Sequence, residues 1–184
     1  MHYFIFPTKD SWISSGSSHI DGTLFTDQNF GKDQILEVKK EFFNLSFDYP
    51  TRALIDFKGT QLTEVSNSVV DGTIYSGSEH TIDTKYYLRL YEAEGNKELS
   101  TDYKLAAFPV SQSWKEGRGK FGDNPKVTDG VSWKNRQYPD NGTAVTWSKV
   151  DGEENYGVTI HSGSTDASQS FSNQSPDVEM DITN

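Results

Sequence analysis

Short runs of Val, Ile, Tyr, Phe and Thr recur along this chain, each closed by a cluster of Gly, Ser, Asp or Asn, and no other feature limits the fold so strongly. The pattern predicts strands at HYFIF (2–6), QILEVKK (34–40), TRALIDF (51–57), SVVDGTIY (68–75), KYYLRLYEA (85–93), YKLAAFPV (103–110), TAVTWSKV (143–150), GVTIHS (157–162) and DVEMDIT (177–183). Helical periodicity is nearly absent. Side chains alternate along a strand, so Tyr86, Leu88 and Leu90 share one face while Tyr87, Arg89 and Tyr91 share the other. Val178, Met180 and Ile182 alternate with Glu179 and Asp181, which makes the final strand half-buried. In TRALIDF both faces carry apolar groups, as expected of a central strand. Asp-Gly recurs at 21–22, 71–72, 129–130 and 151–152, and supplies turns. No repeat or linker divides the chain. The expected fold is all-β, a single antiparallel, jelly-roll-like β-sandwich over residues 1–184 with long Trp- and Gly-rich loops.

Composition narrows the function. Hydrophobic residues make up only 33% of the chain, but aromatics reach 13% and supply much burial area each. Cysteine is absent, which excludes disulfides and Cys-based zinc sites, and the four histidines lack metal-ligand spacing. A net charge of -10 repels phosphate backbones, so nucleic acid is not an expected partner. MHYFIFPTKD lacks the basic start and small-residue cleavage site of a signal peptide, and no apolar run nears a membrane span. The expectation is a chain made in cytoplasm, without membrane insertion.

Three of the four tryptophans, Trp114, Trp133 and Trp147, stand among loop residues in the stretch 110–147. Two readings compete. With Tyr138 they could form a stacking platform for a glycan, or each indole could pin a long loop to the sheet with its N–H on a loop carbonyl. Trp12 has the same ambiguity. Glu116 and Asp129 are the one carboxylate pair to weigh for hydrolysis, but nothing in their spacing makes them meet, and a turn Asp with a salt-bridging Glu is the preferred reading. His19 and His161 lack a nucleophile elbow, so no catalytic residue is assigned. Acidic loops at DGEEN (151–155) and the set Asp10, Asp27 and Asp33 raise a structural calcium without EF-hand spacing; otherwise no cofactor or metal site is expected. Arg52, Arg89 and Arg136 read as ion-pair partners, Arg52 buried against a carboxylate.

The ordered set TRALIDF, YYLRLYEA, VSQSWKEG, DGVSWKN, a later TW and DVEMDIT resembles the DNRLRE domain family, β-sandwich modules related to carbohydrate-binding modules. The resemblance is closer to the version found in structural proteins of marine tailed phages, through YFIFPTKDSWISSGS, NFGKDQILEV, FPVSQSWKEGRGKFGDNP, TDGVSWKNR and ASQSFSNQSPDVEMDIT. It implies a virion protein assembled in the host cytoplasm, in the tail, baseplate or fibre, with head decoration as the alternative. Its implied partners are other virion proteins in symmetric copies, and a host-surface glycan if the family's binding role is inherited. Members of the family usually continue beyond the closing strand, so the resemblance raises a native chain longer than Asn184. The same tryptophans belong to the family's general pattern, which favours loop clamps over a ligand floor.

Overall fold

The computed structural model describes residues 2–17, 22–43, 46–70, 85–93, 102–138, 143–148, 167–172 and 177–183. Its elements run β1 (Lys9–Ser14), β2 (Glu41–Phe43), β3 (Ser46–Asp48), β4 (Thr51–Asp56), α1 (Gly59–Val70), β5 (Tyr87–Leu90), β6 (Tyr103–Ala106), β7 (Asn135–Gln137), β8 (Val145–Thr146), β9 (Ser168–Phe171) and β10 (Val178–Asp181). The class is all-β with one short helix. Among the described residues the strands form five two-stranded antiparallel ladders, β1–β4, β2–β3, β5–β10, β6–β9 and β7–β8, and not two broad packed sheets. The chain gathers into two compact units, one from Met1–Ser76 with Ser111–Thr159, the other from Gly77–Val110 with Ile160–Asn184.

The first unit is built on β1 and β4, paired from Lys9 opposite Asp56 to Ser14 opposite Thr51. Residues directly opposite in a ladder share a face. Ser11 and Ile13 therefore lie with Arg52 and Leu54, and Ile13 and Leu54 enter a buried cluster with Trp114, Val131 and Trp147, against which Trp133 packs. The other face carries Trp12, whose indole stacks on Phe30 with centroids 3.7 Å apart and planes 11° apart. Both faces of the strand pair are thus covered by loop residues. Burial from both sides accounts for the run of four buried residues Ser11–Ser14, where a one-sided strand would alternate.

In the second unit, β5 pairs with β10 and β6 with β9. Leu88 is half-buried opposite Met180, which is buried, while Tyr87, Arg89, Glu179 and Asp181 face water. That is the alternation the sequence implies. Arg89 and Glu179, directly opposite, form an ion pair at 3.0 Å. Tyr103 stands opposite Phe171 and the rings stack at 4.7 Å. Gln169 joins the two ladders: its side-chain oxygen accepts from Glu179 N at 2.8 Å and its nitrogen donates to the Asp177 carbonyl at 3.2 Å.

Several expected strands fall elsewhere. HYFIF is not a strand; the first begins at Lys9, and β4 ends opposite it at Asp56, so residues 2–7 have no strand to pair with among the described residues. QILEVKK forms no ladder, and only its Lys39 engages β4, accepting from Thr51 N at 2.9 Å and donating to Thr51 Oγ1 at 2.7 Å. Ser68–Val70 closes α1, in which Leu62, Val65 and Val69 recur at helical spacing; Asp71–Tyr75 and GVTIHS lie outside the described residues. ASQSF, which lies in none of the expected strands, holds β9. TRALIDF is covered on both faces as expected, but β4 has β1 as its one strand neighbour among the described residues.

Candidate functional site

The tryptophan segment reaches back to one residue, Asn29. Its side chain is fully buried in the loop QNFGK and satisfies four backbone groups. The amide nitrogen donates to the carbonyls of Glu116 at 2.6 Å and Val131 at 2.8 Å, and the oxygen accepts from Gly31 N at 3.1 Å and Gly119 N at 2.8 Å. Asn29 N adds a bond to the Val127 carbonyl. Three loops far apart in sequence are fastened at one carboxamide. Such close approach needs bare backbone: Gly130 has φ of +108°, and a Cβ there would sit 2.5 Å from the Gly117 Cα.

Around this hub the charges are paired. Asp129, buried, accepts from Lys115 Nζ at 2.9 Å and Arg118 Nε at 2.8 Å. Burial raises its pKa, but the bonds and charges of Lys115 and then Arg118 outweigh burial and hold the carboxyl below the usual carboxylate range. Glu116 bonds Lys32 at 2.5 Å with one oxygen and lies 3.5 Å from Asp10 N with the other. Asp10 is shifted upward, by desolvation first and then by the Glu116 charge, with Lys32 opposing. Asp129 and Glu116 are each committed to their own cations. A carboxylate held ionised by two cations is a poor proton donor, so this pair does not form a hydrolytic acid and base.

Trp114 and Trp147 are 7% and 2% exposed, and Trp133 and Tyr138 are half-buried. Trp147 Nε1 donates to the Ser132 carbonyl at 3.0 Å, the loop-carbonyl bond a clamp requires. Lys9 Nζ lies 4.4 Å from the centre of the Trp114 ring and donates to the Trp114 carbonyl at 2.7 Å. Arg52 lies 5.0 Å over Trp133, and its pKa is lowered by burial. The structure brings the three indoles together against the β1–β4 face, and ties Tyr138 to the same loops through its carbonyl, which accepts from Gly130 N. A stacking platform needs two rings open in one groove. Trp114 and Trp147 give their area to the core instead.

The acids considered for calcium are separated into different contacts. Asp27 pairs with Lys126 at 2.6 Å, and Asp33 accepts from Trp12 Nε1 at 2.8 Å and from Phe121 N at 2.9 Å. Among the described residues no three His, Asp or Glu side chains gather; DGEEN, His19 and His161 lie outside them. Arg136 donates to the Ser113 carbonyl at 2.9 Å.

Sequence reasoning passed over Asn29, Phe30 and Phe121, and weighed Asp33 only as a calcium ligand. One signal was present: an Asn inside NFG, with Gly-Arg-Gly and Asp-Gly further on, marks backbone that must approach closely, but each was readable as an ordinary turn. Phe121 is held by Asp33, lies edge-on to Phe25 at 5.9 Å and 6.3 Å from Trp12, and remains 62% exposed. No family model, curated protein or solved structure matches the chain.

Proposed function

We propose that the chain is a structural protein of a tailed-phage virion, a non-enzymatic β-module of the tail, baseplate or fibre that works by burying loop surface against neighbouring subunits. The observation that carries this reading is the contrast between a fastened scaffold and the large apolar side chains it leaves in water. Asn29, Asp129 and the clamping indoles immobilise the loops. Yet Tyr3, Phe4, Phe6, Tyr91 and Phe121 stand exposed in a chain of mean hydropathy -0.70. Of these, Phe121 stands on the fastened loops, and an aromatic side chain presented by a rigid frame is what a protein interface needs, because little conformational entropy remains to be lost on docking. The resemblance to phage structural proteins supplies the setting, and assembly in the host cytoplasm follows from it.

The test is mass spectrometry and electron cryo-microscopy of purified particles of the encoding phage. The expected result is the chain in symmetric copies, each burying more than about 1,000 Å² against neighbours. Absence from washed particles overturns the proposal.

A further inference from the structure

Charge is unevenly distributed between the two units. Residues 112–138 carry six bases and three acids, a net +3 in a chain of -10, so the remainder carries -13. The second unit, Gly77–Val110 with Ile160–Asn184, holds ten acids against four bases. On the loop segment, Phe121 projects from a turn closed by Lys120 N donating to Asp123 Oδ2 at 2.7 Å, and Asp33 pins its own amide. Beside it Lys120 is exposed and its ammonium has no partner among the described residues, and Arg118 is exposed though its Nε engages Asp129. In the second unit, Glu92, Asp177, Glu179 and Asp181 are exposed on β10 and around its partner β5, and Arg89, paired with Glu179, and Lys85 are the bases among them, which leaves the acids in excess. Asp181 is held below the usual carboxylate range by hydrogen bonds from Thr183 and so stays charged.

We infer that the Phe121 loop is a docking surface for a second copy of this chain, seated on the acidic β5–β10 ladder of the neighbour's second unit. The inference rests on the proposed structural role and names its partner. Phe121 supplies the apolar anchor, and the Lys120 ammonium the charge that matches the acids. Because the two surfaces differ, each chain offers one loop and one ladder, and it engages a neighbour through either. Two chains of net -10 repel over most of their surfaces, which leaves this pairing as the favoured orientation.

The experiment is sedimentation velocity on the purified chain at low and high salt, with Phe121→Ser, Lys120→Glu and Asp181→Lys. The expected result is a sedimentation coefficient that rises with concentration, weakened by salt. Each single variant should weaken association about tenfold or more, and mixing Lys120→Glu with Asp181→Lys chains should restore pairing. Lys120 makes its folded contacts through its backbone, so Lys120→Glu reads the interface even if Phe121→Ser disturbs Phe25 and Trp12; tryptophan emission and melting temperature check the fold of each. A chain that stays monomeric at about 1 mM and low salt, association insensitive to salt, or association indifferent to Lys120→Glu and to Phe121→Ser overturns the inference. These outcomes are independent of the particle experiment: a monomeric chain found in virions defeats only the loop-to-ladder contact, and a self-associating chain absent from virions defeats only the virion role.

Discussion

Asn29 uses the whole hydrogen-bonding capacity of a carboxamide, two donors and two acceptor sites, on four backbone groups of the loops around it. Alanine at this position leaves those groups in a dry site, where each unmade bond costs about 1–3 kcal/mol, so Asn29→Ala is expected to lose roughly 4 kcal/mol or more. Asn29→Asp keeps the shape but turns carboxylate oxygens on the carbonyls of Glu116 and Val131, and is expected to be at least as damaging. Urea unfolding of both variants checks this; a loss below about 1 kcal/mol in each means the loops hold without the hub. The hub was hard to read from sequence for a physical reason. Asn in a Gly-flanked loop ordinarily bonds its own turn, and nothing local says that its partners lie 87 to 102 residues away. The burial of the tryptophans was more legible, since indoles are too large to leave idle in a core this thin. Which role they took depended on contacts across the chain.

At the scale of elements, alternation was the reliable guide where one face is buried and the other wet. In β5 and β10 it placed Leu88 and Met180 inward and Arg89 and Glu179 outward. It failed at β1, where both faces are covered and KDSWIS therefore has no period to see, and at β9, whose serines speak for a turn while its pairing with β6 makes a strand. It also failed at α1, whose valines look like strand residues until the spacing of Leu62, Val65 and Val69 is counted. The ladders of the second unit are short, so the Gln169 bridge should matter more than one polar residue usually does. Gln169→Ala is expected to cost about 1 kcal/mol, and Phe171→Ala, which also removes a buried ring stacked on Tyr103, about 3–5 kcal/mol. Hydrogen exchange separates them: the first variant should speed exchange at Glu179, whose amide loses its acceptor, and the second across β6 and β9.

For the whole molecule, the two shifted carboxyls of the loop cluster act against each other as pH changes. Asp129 has its pKa depressed on folding, so its contribution is present above the unfolded value of about 4 and is lost as pH falls through the lower folded value. Asp10 is raised, so its contribution is present below about 4 and is lost as pH rises through the higher folded value. Melting temperature followed from pH 3 to pH 7 should therefore show an acid-side loss that Asp129→Asn removes. Asp10→Asn should gain less than about 1 kcal/mol at pH 7 and nothing at pH 3. An unchanged acid limb in Asp129→Asn would mean that the ion pairs with Lys115 and Arg118 add nothing to folding. The long reach of Asn29 also orders events in time. On a ribosome that adds 5–20 residues each second, the loop QNFGK is made on the order of 4 to 20 s before the carbonyls of Glu116 and Val131 exist to receive it. Until then the stretch around Trp12 and Phe30 is nascent chain without the partners that close over it in the folded protein.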